Sequence, residues 1–129
     1  MKPKQLYLCG PVTGIINYKE IFQNCAEELR KAGYRVVSPV EFCPADRSWE
    51  HCMRKCIQVL AKKKAIAVIE YHPSSKGMDL ELTIGKSLGL EIKTVAEWIA
   101  VAKAEAETLV ARPFGFRPYC GATLQGGNA

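Results

Sequence analysis

The sequence predicts an α/β fold, a doubly wound parallel sheet of four to five strands in a Rossmann- or flavodoxin-like arrangement, with strand order about 2-1-3-4. Three observations predict it. Short apolar runs (QLYLC, YRVVSPV, AIAVIEY, LEIKTV) recur along the chain, and each is followed by a segment with turn residues or helical apolar spacing. The third run is almost continuously apolar, as a central parallel strand covered on both faces must be. Strict β-α alternation then calls for right-handed crossovers that place helices on both faces of one sheet.

QLYLC is the first strand, and the turn-prone GPVTG leads out of it. From Tyr18 to Ala32 the apolar residues Tyr18, Ile21, Phe22, Cys25, Ala26 and Leu29 recur on one helical face, and Gly33 supplies the stop. YRVVSPV is the second strand, closed by Pro39, and EFCPADRS is a loop. Ser48 is the expected N-cap of a second helix, with a stripe of Trp49, Cys52, Met53, Cys56, Ile57 and Leu60; it is expected to end in Lys62, Lys63 and Lys64, whose charges suit a helix C-terminus. HPSSKG follows the third strand, residues 77–88 read as a third helix ending at Gly89, and a fourth helix runs from about Ala96 to Ala111. The domain is therefore expected to occupy 1–111, with 112–129 an irregular Pro- and Gly-bearing tail.

At 129 residues with a formal charge of +5, the chain is one domain's worth, and its cations are too scattered to mark a nucleic-acid surface. No apolar run reaches the roughly 18 residues that a membrane span needs, so a cytoplasmic protein is expected, without membrane or nucleic-acid-polymer partners. The six cysteines (Cys9, Cys25, Cys43, Cys52, Cys56, Cys120) fall mostly at apolar positions, which suggests buried free thiols in a reducing compartment. His51, Cys52 and Cys56 lack a second ligand pair downstream, and no metal site is expected.

In such sheets ligands bind beyond the carboxyl ends of the strands at the switch point, here between the first and third strands. Two loops fall there. CGPVTG offers Gly10, Pro11, Thr13 and Gly14; it is either an ordinary strand-to-helix turn or a place where backbone N–H groups and Thr13 meet an anion. It is neither a GxGxxG fingerprint nor a P-loop, so no nucleotide cofactor is expected. SSKG offers Ser75, Lys76 and Gly77 at a helix start, where a serine is either a phosphate ligand or simply an N-cap. Glu81 follows in the first turns of that helix, near Asp79 and the strand-end Glu70. A helical glutamate is either solvated or, aimed at the strand ends, a catalytic carboxylate.

YLCGPVTG near the start and GMDLELTIG about seventy residues later, in this element order, resemble the nucleoside 2-deoxyribosyltransferase superfamily, which includes 2′-deoxynucleoside 5′-monophosphate N-glycosidases. The similarity spans roughly residues 5–95. Tyr7, Gly10, Gly77 and Glu81 match the family's strand tyrosine, loop glycine and the glycine four residues before its glutamate nucleophile. Glu70, Pro73, Ser75 and Gly77 are similar to the strand-end glutamate and phosphate loop of the hydrolase branch. Trp49, Met53, Arg54, Ser75, Lys76 and Gly77 are similar to motifs of uncharacterised bacterial and phage relatives.

The resemblance implies cleavage, by hydrolysis or transfer, of the N-glycosidic bond of a nucleoside or nucleoside 5′-monophosphate, with a 2′-deoxy sugar expected, Glu81 as nucleophile and Tyr7 orienting it. It implies Asp79, Glu70 or His72 as donor to the leaving base, Thr13, Ser75, Lys76 and the N–H groups after Gly77 as the phosphate pocket, and a homo-oligomer, dimer or larger. Trp49 is either a base-stacking surface or core. Where family members carry aspartates on the helix before strand three and at that strand's start, this chain has Cys56 and Lys64. General acid assistance is worth roughly 10²- to 10⁴-fold in rate, so the departure keeps open an inactive nucleotide-binding module of the same fold.

Overall fold

The structure is a computed structural model that describes residues 4–44, 46–70 and 75–111. His72, Pro73, Cys120 and the expected tail at 112–129 therefore lie outside the described residues. Chain contacts divide the molecule into Met1–Ile99 and Ala100–Ala129. The sheet and its crossover helices belong to the first unit; the described part of the second is helical, with Thr108 Oγ1 donating to the Ala104 carbonyl at 2.9 Å.

Strands β1 (Gln5–Cys9), β2 (Arg35–Val37), β3 (Ala65–Val68) and β4 (Glu91–Thr94) form one sheet in the order β2-β1-β3-β4, every pair parallel. Helices α1 (Tyr18–Lys31), α2 (Trp49–Leu60), α3 (Lys76–Ser87) and α4 (Val95–Ala111) alternate with them, and a 3-10 turn at Pro39–Glu41 interrupts the loop after β2. The expected sheet and strand order are thus observed, with four strands.

Alternation along β1 sorts the core into two layers. Leu6 and Leu8 point to one face, where they join Phe22, Ala26 and Leu29 of α1 and Trp98. Tyr7 and Cys9 point to the other, with Cys56 and Leu60 of α2 and Met78 of α3. Period-2 alternation therefore puts a phenol and a thiol side by side under the same two helices.

Local chemistry sets the helix ends. Ser48, the expected cap, accepts from His51 N at 3.1 Å, and Ser75 accepts from Met78 N at 3.2 Å, the capping one of its two readings. Thr94 and Glu97 cap α4 reciprocally, at 2.9 and 3.1 Å, a box legible in TVAE. After α1, Gly33 adopts φ 104° while Tyr34 N reaches back to the Leu29 carbonyl. The lysine triplet is not the last turn of α2. That helix ends at Leu60, and Lys62 N and Lys63 N bond Val59 and Leu60 carbonyls in the turn toward β3.

On α3 the residues Met78, Glu81 and Gly85 are buried, a spacing that lies on one helical face. Gly85 lets that face approach the sheet: a Cβ there would stand 2.5 Å from Ile66 Cδ1. On the opposite layer the Trp98 indole N–H donates to the Ile66 carbonyl at 2.9 Å, and the Tyr34 hydroxyl to the Trp98 carbonyl at 2.6 Å. Among the described residues no helix is long and apolar enough to cross a membrane.

Candidate active site

The close approach of α3 to the sheet carries Glu81 over the carboxyl half of β1. Its side chain is only 5% exposed, although it is a carboxylate among apolar neighbours. Burial of that kind requires hydrogen bonds to the charged form. Two are present: the Tyr7 hydroxyl donates to Oε2 at 2.5 Å and the Cys9 thiol approaches Oε1 at 3.4 Å. Residues i and i+2 of one strand thus hold the two oxygens of one carboxylate.

The electrostatics follow from burial. Desolvation pushes the Glu81 carboxyl above its ordinary range, opposed by the hydrogen bonds from Tyr7 and Cys9. Burial, followed by the neighbouring Glu81 charge, pushes the Tyr7 phenol and the Cys9 thiol far upward, so both remain protonated donors. Cys56, beside them on α2, is pushed up to about 11, chiefly by burial.

Glu81 borders a cavity of about 250 Å³ beyond the carboxyl end of β1, among the segments that follow β1 and β2 and the starts of α2 and α3. Gly10 and Thr13 contribute from the loop after β1, Met53 and Cys56 from α2, and Ser75 and Gly77 from the start of α3. Two of these positions are tight: a Cβ on Gly10 would stand 3.0 Å from Ile69 atoms, and one on Gly77 would stand 3.1 Å from Met53 Sδ. Trp49 also lines the cavity, half-buried, with Lys76 Nζ 4.4 Å from its ring centroid.

The structure brings together only part of the expected site. Glu81, Gly10, Thr13, Ser75 and Gly77 share the cavity, with Tyr7 behind Glu81. Pro11 is buried beside Gly10, and Gly14, at φ 84°, is exposed in the same loop. Lys76 is exposed outside the cavity lining, on the Trp49 ring. Asp79 points to solvent, because it lies off the α3 face that carries Met78, Glu81 and Gly85. Glu70 borders a different cavity, with Ile21, Ile69 and Ile99. Lys64 sits in the turn before β3 and Cys56 in the wall of the cavity. The N–H groups just after Gly77 are occupied, since Met78 N bonds the Ser75 hydroxyl and Asp79 N the Ser75 carbonyl.

Three features escaped sequence reasoning. Arg47 lines the cavity from the loop before α2. Cys9 was legible as a strand position on the Tyr7 face, but its partner was not. Cys43 and Cys52 form a disulfide, with Cα atoms 5.7 Å apart, where free thiols were expected. The loop between the 3-10 turn and α2 folds back on the first turn of that helix, a proximity that local periodicity does not reveal. Cys52 is thereby removed as a thiolate ligand, and among the described residues no cluster of three metal-ligating side chains occurs. Cys9, Cys25 and Cys56 are free.

The four-stranded parallel sheet in the order 2-1-3-4, with its alternating helices, matches the fold of 2-deoxyribosyltransferases. The chain superposes on a 2-deoxyribosyltransferase from Leishmania mexicana with a TM-score of 0.56 at 20% identity, covering 71% of this chain and 63% of that one. It superposes on a 2-deoxyribosyltransferase from the psychrotolerant bacterium Bacillus psychrosaccharolyticus with a TM-score of 0.53 at 20% identity, covering 68% and 69%. The chain thus spans less than two thirds of the Leishmania protein's length. No curated protein sequence matches it. Residues 4–94 match the family described as a domain of unknown function, DUF4406, and the chain belongs to that family.

Proposed function

We propose that this protein cleaves the N-glycosidic bond of a nucleoside or nucleoside 5′-monophosphate, by hydrolysis or transfer, with Glu81 as nucleophile. The observation that carries this reading is the buried Glu81 carboxylate, held by Tyr7 and Cys9 at the wall of a cavity in the 2-deoxyribosyltransferase fold. Glycosidic cleavage builds positive charge at C1′, and a carboxylate below the sugar stabilises that charge or attacks it to form a glycosyl-enzyme. Desolvation keeps Glu81 basic, and the Tyr7 hydrogen bond fixes which oxygen remains to attack.

Other lining residues suit the rest of the substrate. Thr13, Ser75 and Arg47 line the cavity where a 5′-phosphate would enter, and the start of α3 adds its positive pole. Trp49 offers its ring to a base. Association of copies, expected from the resemblance, belongs to the same reading and is checked by light scattering on the purified chain.

A second reading has its own support. Among the described residues Glu81 is the one carboxylate lining the cavity, and Cys56, where the resemblance implies an aspartate, is a weak acid. A pocket without a strong proton donor for the leaving base fits a module that binds nucleotide without consuming it. The deciding experiment incubates ribo- and deoxyribonucleosides and their 5′-monophosphates with the protein and with Glu81→Gln, and reads free base by chromatography. Base released by the unmutated protein alone supports cleavage. No release from any substrate, with nucleotide bound in a titration, supports the module.

A further inference from the structure

We infer that Cys9 is a positioning residue for Glu81: its thiol holds Oε1 of the carboxylate that Tyr7 holds at Oε2, fixing the side chain for attack without strongly stabilising its charge. This rests on Glu81 being the nucleophile.

The geometry of the two contacts is unequal. Oε2 receives a phenol at 2.5 Å, a charge-assisted bond, whereas Oε1 faces a thiol at 3.4 Å and, among the described residues, no other donor. Cys9 is fully buried and its single proton has one other acceptor in reach, the Met78 carbonyl at 3.8 Å. The carboxylate is the closer and charged partner, so the thiol donates its hydrogen bond to Oε1. A serine there would donate a stronger bond and make the carboxylate a poorer nucleophile; an alanine would leave Oε1 buried with no donor.

The remaining groups around the carboxylate are few. Tyr7 and Cys9 approach from β1 and Cys56 from α2; Asp79 on α3 acts on the Cys9 thiol, and Arg47 lines the cavity. Burial and the Glu81 charge keep the thiol protonated, so Cys9 is a fixed donor and no nucleophile.

The test titrates the Glu81 carboxyl carbon by NMR in the unmutated protein, Cys9→Ala and Cys9→Ser, with Glu81→Gln to assign the signal. Alanine is expected to move the titration to higher pH and serine to lower pH; a merely space-filling cysteine gives shifts of one sign or none, and that result overturns the inference. With a substrate in hand, Cys9→Ala is expected to lower kcat about tenfold with KM changed less than about twofold. A measurement without any Cys9 substitution guards against misfolding of the variants: the infrared S–H stretch of Cys9, shifted by a carboxylate acceptor, must move in Glu81→Gln. An unmoved band overturns the assignment. Failure of the chromatographic panel to show base release would sink the nucleophile reading, while the titration would still decide whether Cys9 holds Glu81.

Discussion

Replacing Tyr7 with phenylalanine removes one oxygen and leaves a ring of nearly the same shape in a fully buried position. The lost contact is a 2.5 Å hydrogen bond to a buried carboxylate. Bonds to charged groups contribute about 1.5–3 kcal/mol, and each 1.4 kcal/mol is a factor of ten, so turnover is expected to fall about 10- to 100-fold. The pH profile adds a sign. Burial raises the Glu81 carboxyl and the Tyr7 hydroxyl opposes that rise, so deleting the hydroxyl raises it further. The acid limb of kcat/KM, where Glu81 must ionise, therefore moves to higher pH. The assay is base release from the best substrate of the nucleoside panel across pH 4 to 9. A Tyr7→Phe variant within about twofold of the parent, with the acid limb unmoved, would refute the reasoning that Tyr7 holds the reactive carboxylate.

Glu81→Gln is expected to be more stable than the parent at pH 8. The folded carboxyl is raised above its unfolded value, so the stability it lends is full below that unfolded value, about 4.3, and is lost as pH rises through the folded one. Urea midpoints at pH 8 and pH 4 check this, with the gap closing at pH 4; an equal gap at both would contradict it. Breaking the Cys43–Cys52 bond, by Cys43→Ser or by reductant, opens a loop of sequence separation 9 and is expected to lower stability by about 2.5 kcal/mol, read from urea melts with and without dithiothreitol. Gly10→Ala presses a methyl against Ile69 and Phe22 at 3.0 and 3.2 Å, a loss of about 1–3 kcal/mol measurable in the same melts. Trp98→Phe leaves the buried Ile66 carbonyl without its indole donor and is expected to destabilise by about 2–4 kcal/mol, with calorimetry as the check.

The sequence by itself determined which segments are strands and helices and offered Ser48 and Ser75 at helix starts, because these depend on spacing within about ten residues; the strand order came from the rule that β-α alternation makes right-handed crossovers. Apolar alternation in QLYLC, the continuous run AIAVIEY and Ser48 and Ser75 ahead of their helices carry that information locally. It also placed Tyr7 and Glu81 as partners through the resemblance, although 74 residues separate them. Local pattern overreached at the lysine triplet, where charge preference for a helix end met a chain that had already turned at Leu60.

Only the tertiary structure decided which polar groups meet. Glu70 and Asp79 lie close to Glu81 along the chain yet face away from it. The α3 face sets the direction of Asp79, and Glu70 lies past the end of β3 at Val68, beside a different cavity. Cys9 became a partner of Glu81 because α3 settles onto the sheet, with Gly85 against Ile66 of β3, and Arg47 and the Cys43–Cys52 bond reached the cavity through a loop without periodicity. Contacts of this kind arise from long-range packing, which depends on where whole elements come to rest, and no window of the sequence contains that information.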